Sequence, residues 1–175
     1  MGMDIHGKAP SSNQGEYFRN NVWWWRPLAD YCCAIAPDVT AACRYWQSND
    51  GDGLNAEASL ELARLLRAEK TAGRTAAYAT TRDMEHAMLP DKVCSLCTGS
   101  GVRNDAVGVD MSQPTRRIEA PEFQPGHPRF GSVGWCNGCN GTGRLRPDET
   151  YYSFSVENVE EFVMFLEACG GFEIW

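Results

Sequence analysis

The chain contains no apolar run approaching the roughly 20 residues needed to cross a bilayer. Its first residues, Met1-Gly2-Met3-Asp4-Ile5-His6-Gly7-Lys8, lack the basic flank and apolar stretch of a signal peptide. A soluble cytoplasmic protein with no membrane attachment is therefore expected. Histidine is scarce: His6, His86 and His127 are the only three in 175 residues, so imidazole acid–base chemistry has few actors. Also missing are Gly-x-x-x-x-Gly-Lys, Gly-x-Ser-x-Gly and His-Glu-x-x-His, which would mark a phosphate cradle, a nucleophile elbow and an open metal site. Nothing specifies a reaction, and the sequence leans away from an enzyme. Basic residues are absent from 148–175, which carries seven acidic side chains, whereas 90–147 carries seven basic and five acidic ones. The formal net charge of −7 disfavours nucleic acid, whose binding draws on cations gathered against phosphates. Arg103, Arg116, Arg117, Arg129, Arg144 and Arg146 keep that alternative open for the middle segment.

What the chain does have is eight cysteines. Cys32, Cys33, Cys43 and Cys169 fall on apolar faces of expected helices, where a free thiol behaves as a small hydrophobe. The other four are paired as Cys94-Ser-Leu-Cys97-Thr-Gly99-Ser-Gly101 and Cys136-Asn-Gly-Cys139-Asn-Gly141-Thr-Gly143, both fitting Cys-x-x-Cys-x-Gly-x-Gly. Two residues between cysteines let a tight turn aim both sulfurs at one ion. The glycines let backbone N–H groups approach the thiolates. Two such knuckles supply four ligands, so Cys94, Cys97, Cys136 and Cys139 are expected to hold one structural Zn(2+) per chain. Four thiolates around zinc leave a formal charge of −2, which Arg103 and Arg144, following the two Gly-x-Gly units, would offset. Competing readings are four free thiols or a redox dithiol. The latter lacks a βαβ setting and leaves the second pair unexplained. His127, between Gly126 and Pro128, reads as a surface residue.

Residues 94–143 resemble the cysteine-rich zinc domain of DnaJ-type co-chaperones, whose repeats share this eight-residue pattern. That family carries four repeats and two zinc sites, whereas this chain has two repeats, and it shows no His-Pro-Asp tripeptide, the mark of the J domain. The resemblance implies the metal rather than chaperone activity. The flanks, with Gly2-Met3-Asp4, Gly15-Glu16-Tyr17-Phe18-Arg19-Asn20-Asn21, Trp23-Trp24-Trp25-Arg26-Pro27-Leu28 and Phe172-Glu173-Ile174, are similar to uncharacterised proteins of bacteriophages and their hosts, which imply no function.

Periodicity organises the rest. Residues 3–5 and 15–25 read as extended, the latter because aromatic and β-branched side chains suit strands. A helix is expected from Pro27 to Pro37, with Leu28, Tyr31, Cys32 and Ile35 on one face. A second, capped by Asp38, would bury Val39, Ala42, Cys43 and Trp46. Asn49-Asp50-Gly51-Asp52-Gly53 reads as a solvated turn rather than a calcium loop, since it lacks the loop's sixth-position glycine. Asn55 caps a helix striped by Ala58, Leu62, Leu65 and Leu66 and ended by Gly73. Residues 75–89 are helical as well, and 98–135 is loop with one or two short strands. Tyr151–Ser155 reads as a strand. Val159, Phe162, Val163, Leu166 and Cys169 mark a helix stopped at Gly170-Gly171, and Phe172–Trp175 alternates as a final strand.

The expected fold is α+β: a small sheet built from both chain ends, several helices, and an inserted zinc-knuckle module at 94–146 within a body of 1–93 and 147–175. The function this favours is a zinc-stabilised, non-enzymatic interaction protein, such as a phage-type accessory factor binding another protein. A nucleic-acid-binding zinc protein and a small enzyme are the alternatives. Trp23, Trp25 and Arg26 join Arg103 and Arg144 as candidate partner-binding residues, because tryptophan and arginine dominate binding hot spots.

Overall fold

The computed structural model describes residues 2–103, 105–107, 126 and 136–175. They divide into two compact units, Met1–Ala87 with Glu149–Trp175, and Met88–Asp148. The class is mixed α+β.

The larger unit is a four-stranded antiparallel sheet under helices. Its strands are β1 (Gly2–Gly7), β2 (Tyr17–Asn21), β3 (Asp52–Asn55) and, from the end of the chain, Gly171–Ile174, in the order β2, β1, the last strand, β3. The last strand occupies the middle: Ile174 faces Ile5 on one side and Asp52 on the other, and Phe172 lies between Gly7 and Leu54. Two-residue periodicity gives the sheet two unlike faces. Met3, Ile5, Phe18, Leu54, Phe172 and Ile174 are buried. The other face carries polar side chains: Arg19 pairs with Asp4 at 3.6 Å, Lys8 approaches Glu173 at 3.9 Å, and the Tyr17 hydroxyl donates to Asp4.

Among the described residues the helices set out in full are α1 (Val22–Ile35), α2 (Pro37–Thr40), α3 (Ala56–Thr71), α4 (Arg74–Met88) and α5 (Val156–Ala168). Asn55 accepts from the Ala58 N–H at 2.9 Å and Ser155 from that of Asn158 at 3.2 Å, so α3 and α5 each begin on a side-chain cap. Leu62 and Leu66 from α3 meet Phe162, Phe165 and Leu166 from α5 in one core, all essentially inaccessible. The same two helices are tied at their surface by Arg67–Glu167 (2.5 Å) and Lys70–Glu160 (2.5 Å). At the end of α5, Gly170 (φ 62°) and Gly171 (φ 91°) adopt the left-handed turn that sends the chain back into the sheet.

Four expectations are corrected here. The tryptophans are helical: the Asn21 side chain accepts from the N–H groups of Trp23 (3.0 Å) and Trp24 (3.1 Å), so α1 starts five residues before Pro27. A cap and a spacing of 25, 28, 29, 32 outweigh the strand preference of aromatic residues, which is a weak prior. Next, α2 is a single turn that contains Asp38 instead of being capped by it. The following segment is held by Asp52, whose carboxylate accepts from the N–H groups of Arg44 (2.6 Å) and Tyr45 (3.0 Å). Burial opposes ionisation of Asp52, but the N–H groups of Gly53, Arg44 and Tyr45 outweigh it and hold the carboxyl below its usual range. Third, the expected turn at 49–53 runs into strand β3, paired with the last strand from Asp52 onward. Fourth, Tyr151–Ser155 joins no sheet. A 3₁₀ turn covers Asp148–Tyr151, and Phe154 is buried between the rings of Tyr31 (5.0 Å) and Tyr78 (4.9 Å). Its aromatic side chains pack between α1 and α4 rather than line a strand.

Candidate metal centre

The smaller unit is organised by the two Cys-x-x-Cys-x-Gly-x-Gly segments, which share a set of matching hydrogen bonds. In each, the hydroxyl two residues before the Gly-following position bridges the turn. Ser100 Oγ donates to the carbonyl of Cys97 (2.7 Å), and Thr142 Oγ1 to that of Cys139 (2.7 Å). The N–H of Gly101 reaches Cys97 Sγ at 3.3 Å, and that of Gly143 reaches Cys139 Sγ at 3.2 Å. The two segments also clasp each other: the Cys94 N–H donates to the Gly143 carbonyl (2.9 Å) and the Cys136 N–H to that of Gly101 (2.7 Å). Gly101 and Gly143 have φ of 74° and 75°. A Cβ there would lie 2.4 Å from the carbonyl oxygen of Gly141 and 2.2 Å from that of Gly99, so both conformation and space require glycine. A two-stranded ribbon, β4 (Lys92–Val93) with β5 (Arg144–Leu145), closes the base.

This symmetry brings four buried sulfurs together. The ligand atoms of Cys94, Cys97, Cys136 and Cys139 all lie within 4.8 Å of one another and could hold one metal ion. The Cys94–Cys136 sulfurs are 3.8 Å apart and those of Cys97–Cys139 are 3.6 Å apart, far beyond the roughly 2.05 Å of a disulfide. Sulfurs at the corners of a tetrahedron about 2.3 Å from its centre would be separated by about 3.8 Å. Two of the separations match that spacing, and the four sulfurs together could hold one metal ion. Burial pushes the Cys97 thiol up, but N–H groups of Gly101 and Gly99 and the neighbouring thiols bring it down to about 7. Burial dominates at Cys136 and raises it to about 11.

The two arginines are not equivalent. Arg103 is only 9% exposed. Its guanidinium grips Asp105 at 2.6 and 2.9 Å and Asn137, beside Cys136, at 3.0 Å. The Asp105 carboxylate raises the Arg103 pKa most, and the charges of Cys136 and Cys94 add to it. Arg144 is exposed and donates to the Asp91 carbonyl at 3.2 Å. A one-residue offset explains the difference: Arg144 aligns with Val102, and the residue aligned with Arg103 is Leu145, which packs on the cysteines as the apolar neighbour of the cluster.

The remaining sequence-nominated residues lie in the larger unit. Trp25 is wholly buried, its indole N–H donating to the Trp46 carbonyl at 2.6 Å. Trp23 is 44% exposed and packs on Tyr152 with ring centres 4.8 Å apart. Arg26 donates to the Tyr152 hydroxyl at 2.7 Å. Of the remaining cysteines, Cys32, Cys43 and Cys169 are buried and Cys33 is partly so, all of them free. Burial raises each of these thiols, that of Cys43 to about 12. His127, Arg116, Arg117, Arg129 and most of the expected 98–135 loop lie outside the described residues. Tyr152 and Arg82, which meet next to Trp23 and Arg26, had no signal in the sequence, because their neighbours are 70 to 126 positions away. Among the described residues no helix is long and apolar enough to cross a membrane.

No family model, no curated protein and no solved structure matches this chain.

Proposed function

We propose that Cys94, Cys97, Cys136 and Cys139 hold one structural zinc ion per chain, and that the protein is a zinc-stabilised interaction module rather than an enzyme. The observation that carries this reading is the donor set: four buried sulfurs within 4.8 Å of one another, two of their separations (3.8 and 3.6 Å) close to those of a tetrahedral zinc site. Zinc is the ion that most often takes four thiolates, and a site closed by four protein ligands leaves no position for substrate or activated water. Bound there, zinc would supply charge and rigidity. The chain's own contribution is the N–H groups of Gly101 and Gly143 aimed at two of the sulfurs and Arg103 close by.

On this reading residues 94–146 form an inserted module of the DnaJ-type knuckle kind, in a body of 1–93 and 147–175. Zinc ties the ends of the long segment between the knuckles, which serves recognition of a protein partner, as loops held on a rigid scaffold often do. A phage-type accessory factor acting on a host or phage protein is the setting that suits such a module. Two measurements test the proposal. Elemental analysis of freshly reduced protein should find about one zinc per chain, lost in Cys97→Ser, since three thiolates leave the site open. Replacing residues 110–128 by a short glycine linker should preserve zinc and folding but weaken capture of a cross-linked protein partner from the native host. Metal-free protein with intact fold, or capture of nucleic acid in place of protein, would overturn it.

A further inference from the structure

Arg103 is the one charged side chain among the described residues that the fold buries, at 9% exposure. Burying a charge is costly unless it is paired and hydrogen-bonded, and the pairing here is lopsided. The guanidinium holds Asp105 through Nε (2.6 Å) and Nη2 (2.9 Å), but the Asp105 side chain is 45% exposed against 11% for that of Arg103. Water therefore screens the carboxylate more than the guanidinium. Nη1 crosses to the second knuckle and donates to Asn137 Oδ1 at 3.0 Å, on the residue next to Cys136. After the Asp105 carboxylate, the charges that act on Arg103 are those of Cys136 and Cys94. These two residues are wholly buried, and their sulfurs are 3.8 Å apart.

The repeat shows what is special about this placement. The N–H groups of Gly101 and Gly143 reach Cys97 and Cys139 at 3.3 and 3.2 Å, so each knuckle brings the same dipole to its second sulfur. The full charge is not repeated. Where the first knuckle has Arg103, the aligned position of the second holds Leu145, an apolar side chain packed on the same cysteines. Arg144, one position earlier, lies in β5, is exposed, and donates to the Asp91 carbonyl at 3.2 Å. Four thiolates outweigh the charge of one divalent ion, so a buried cation at their side favours the ionised, metal-holding form. Partners of metal ligands that are not ligands themselves typically change metal affinity by about 10- to 100-fold.

We infer that Arg103 is the positioning residue of the metal centre: its guanidinium, anchored by Asp105 and Asn137, supplies the positive charge beside Cys94 and Cys136 that sets how tightly the four cysteines hold their ion. The inference rests on the zinc reading and goes past it by naming a residue that is no ligand. Its test uses full-length wild type, Arg103→Gln, Arg103→Lys and Arg144→Gln, loaded with zinc and, separately, with cobalt(II) as a coloured substitute. Chelator competition should find zinc held about tenfold more weakly in Arg103→Gln, with most of the loss recovered in Arg103→Lys and none seen in Arg144→Gln. The sulfur-to-cobalt charge-transfer band should move to lower energy in Arg103→Gln, because sulfur electrons without a neighbouring cation are held less tightly, and should return in Arg103→Lys. A merely structural clamp would weaken binding without moving the band. Where Arg103→Gln takes up too little cobalt for a spectrum, recovery by lysine decides between charge and clamp. Wild-type affinity in Arg103→Gln, an unmoved band, no recovery by lysine, or an equal loss in Arg144→Gln would each overturn the inference and leave the zinc reading standing. If wild type takes up neither ion, the zinc reading falls and the inference with it.

Discussion

The two units of this protein solve the same problem with different materials. The larger unit buries a continuous set of large apolar side chains, from Ile5 and Trp25 through Phe162, Phe165 and Phe172. In the described part of the smaller unit the buried cluster is four cysteines with Leu145 against them. Apolar area removed from water stabilises the larger body, whereas the smaller unit buries little apolar side chain among its described residues, so an ion shared by its four sulfurs would add a cross-link there. The contrast implies that a metal held by the four cysteines would be a local requirement of the knuckles, while the sheet and helices rest on their own apolar core.

The strongest way to break this contrast is to remove a ligand. Cys139→Ser, or chelation of the wild type, should abolish metal binding, a loss on the order of 10 kcal/mol for structural zinc sites. Amide exchange should then open across 88–148 while 1–87 and 149–175 stay protected. Global unfolding would show that the body depends on the ion after all. The reverse perturbation comes next in size. Trp25→Ala removes a wholly buried ring that stacks on Trp46 at 6.1 Å and meets Phe162 edge-on at 5.6 Å. Denaturant titration should show a loss of about 3–5 kcal/mol, with zinc stoichiometry unchanged.

Two smaller changes sharpen the comparison. Gly143→Ala places a methyl 2.2 Å from the Gly99 carbonyl oxygen in a left-handed conformation, a strain of more than about 1 kcal/mol. Competition with a chromophoric chelator should therefore report zinc held about tenfold more weakly or worse, with the melting of the body unaltered. Asn21→Ala removes the cap of α1 and should cost about 1 kcal/mol, seen as a lower denaturation midpoint of the body and no change in metal affinity. An effect of Asn21→Ala on zinc would mean that the units are energetically coupled.

Legibility in the sequence followed the range of the interactions. The α3 and α5 helices were readable because cap, stripe and stop lie within one short window: Asn55, Leu62, Leu66 and Gly73 for the first, Ser155, Phe162, Leu166 and Gly170 for the second. The cysteine cluster was readable because a repeated eight-residue pattern encodes its own geometry, down to the matching Ser100 and Thr142 bonds. The triple tryptophan misled because the deciding contact is a side-chain cap from Asn21, which composition alone does not rank above strand preference. The strand at Asp52–Asn55 was hidden because two of its four residues are polar and one is glycine. It exists because the last strand offers it an edge.

The sequence by itself determined what local chemistry can determine: the capped and striped helices α3 and α5, which end of the chain carries the excess of acid, and which four sulfurs belong together. The sheet shared by the two chain ends was legible, but only the tertiary structure put Phe172–Ile174 in its middle, between β1 and the unexpected strand β3, where both sides of its backbone are paired. Only the tertiary structure, too, placed Arg26 and Arg82 on the same tyrosine. Their partner Tyr152 is 126 and 70 positions away, and side chains so distant in sequence become neighbours only when the helices between them have packed.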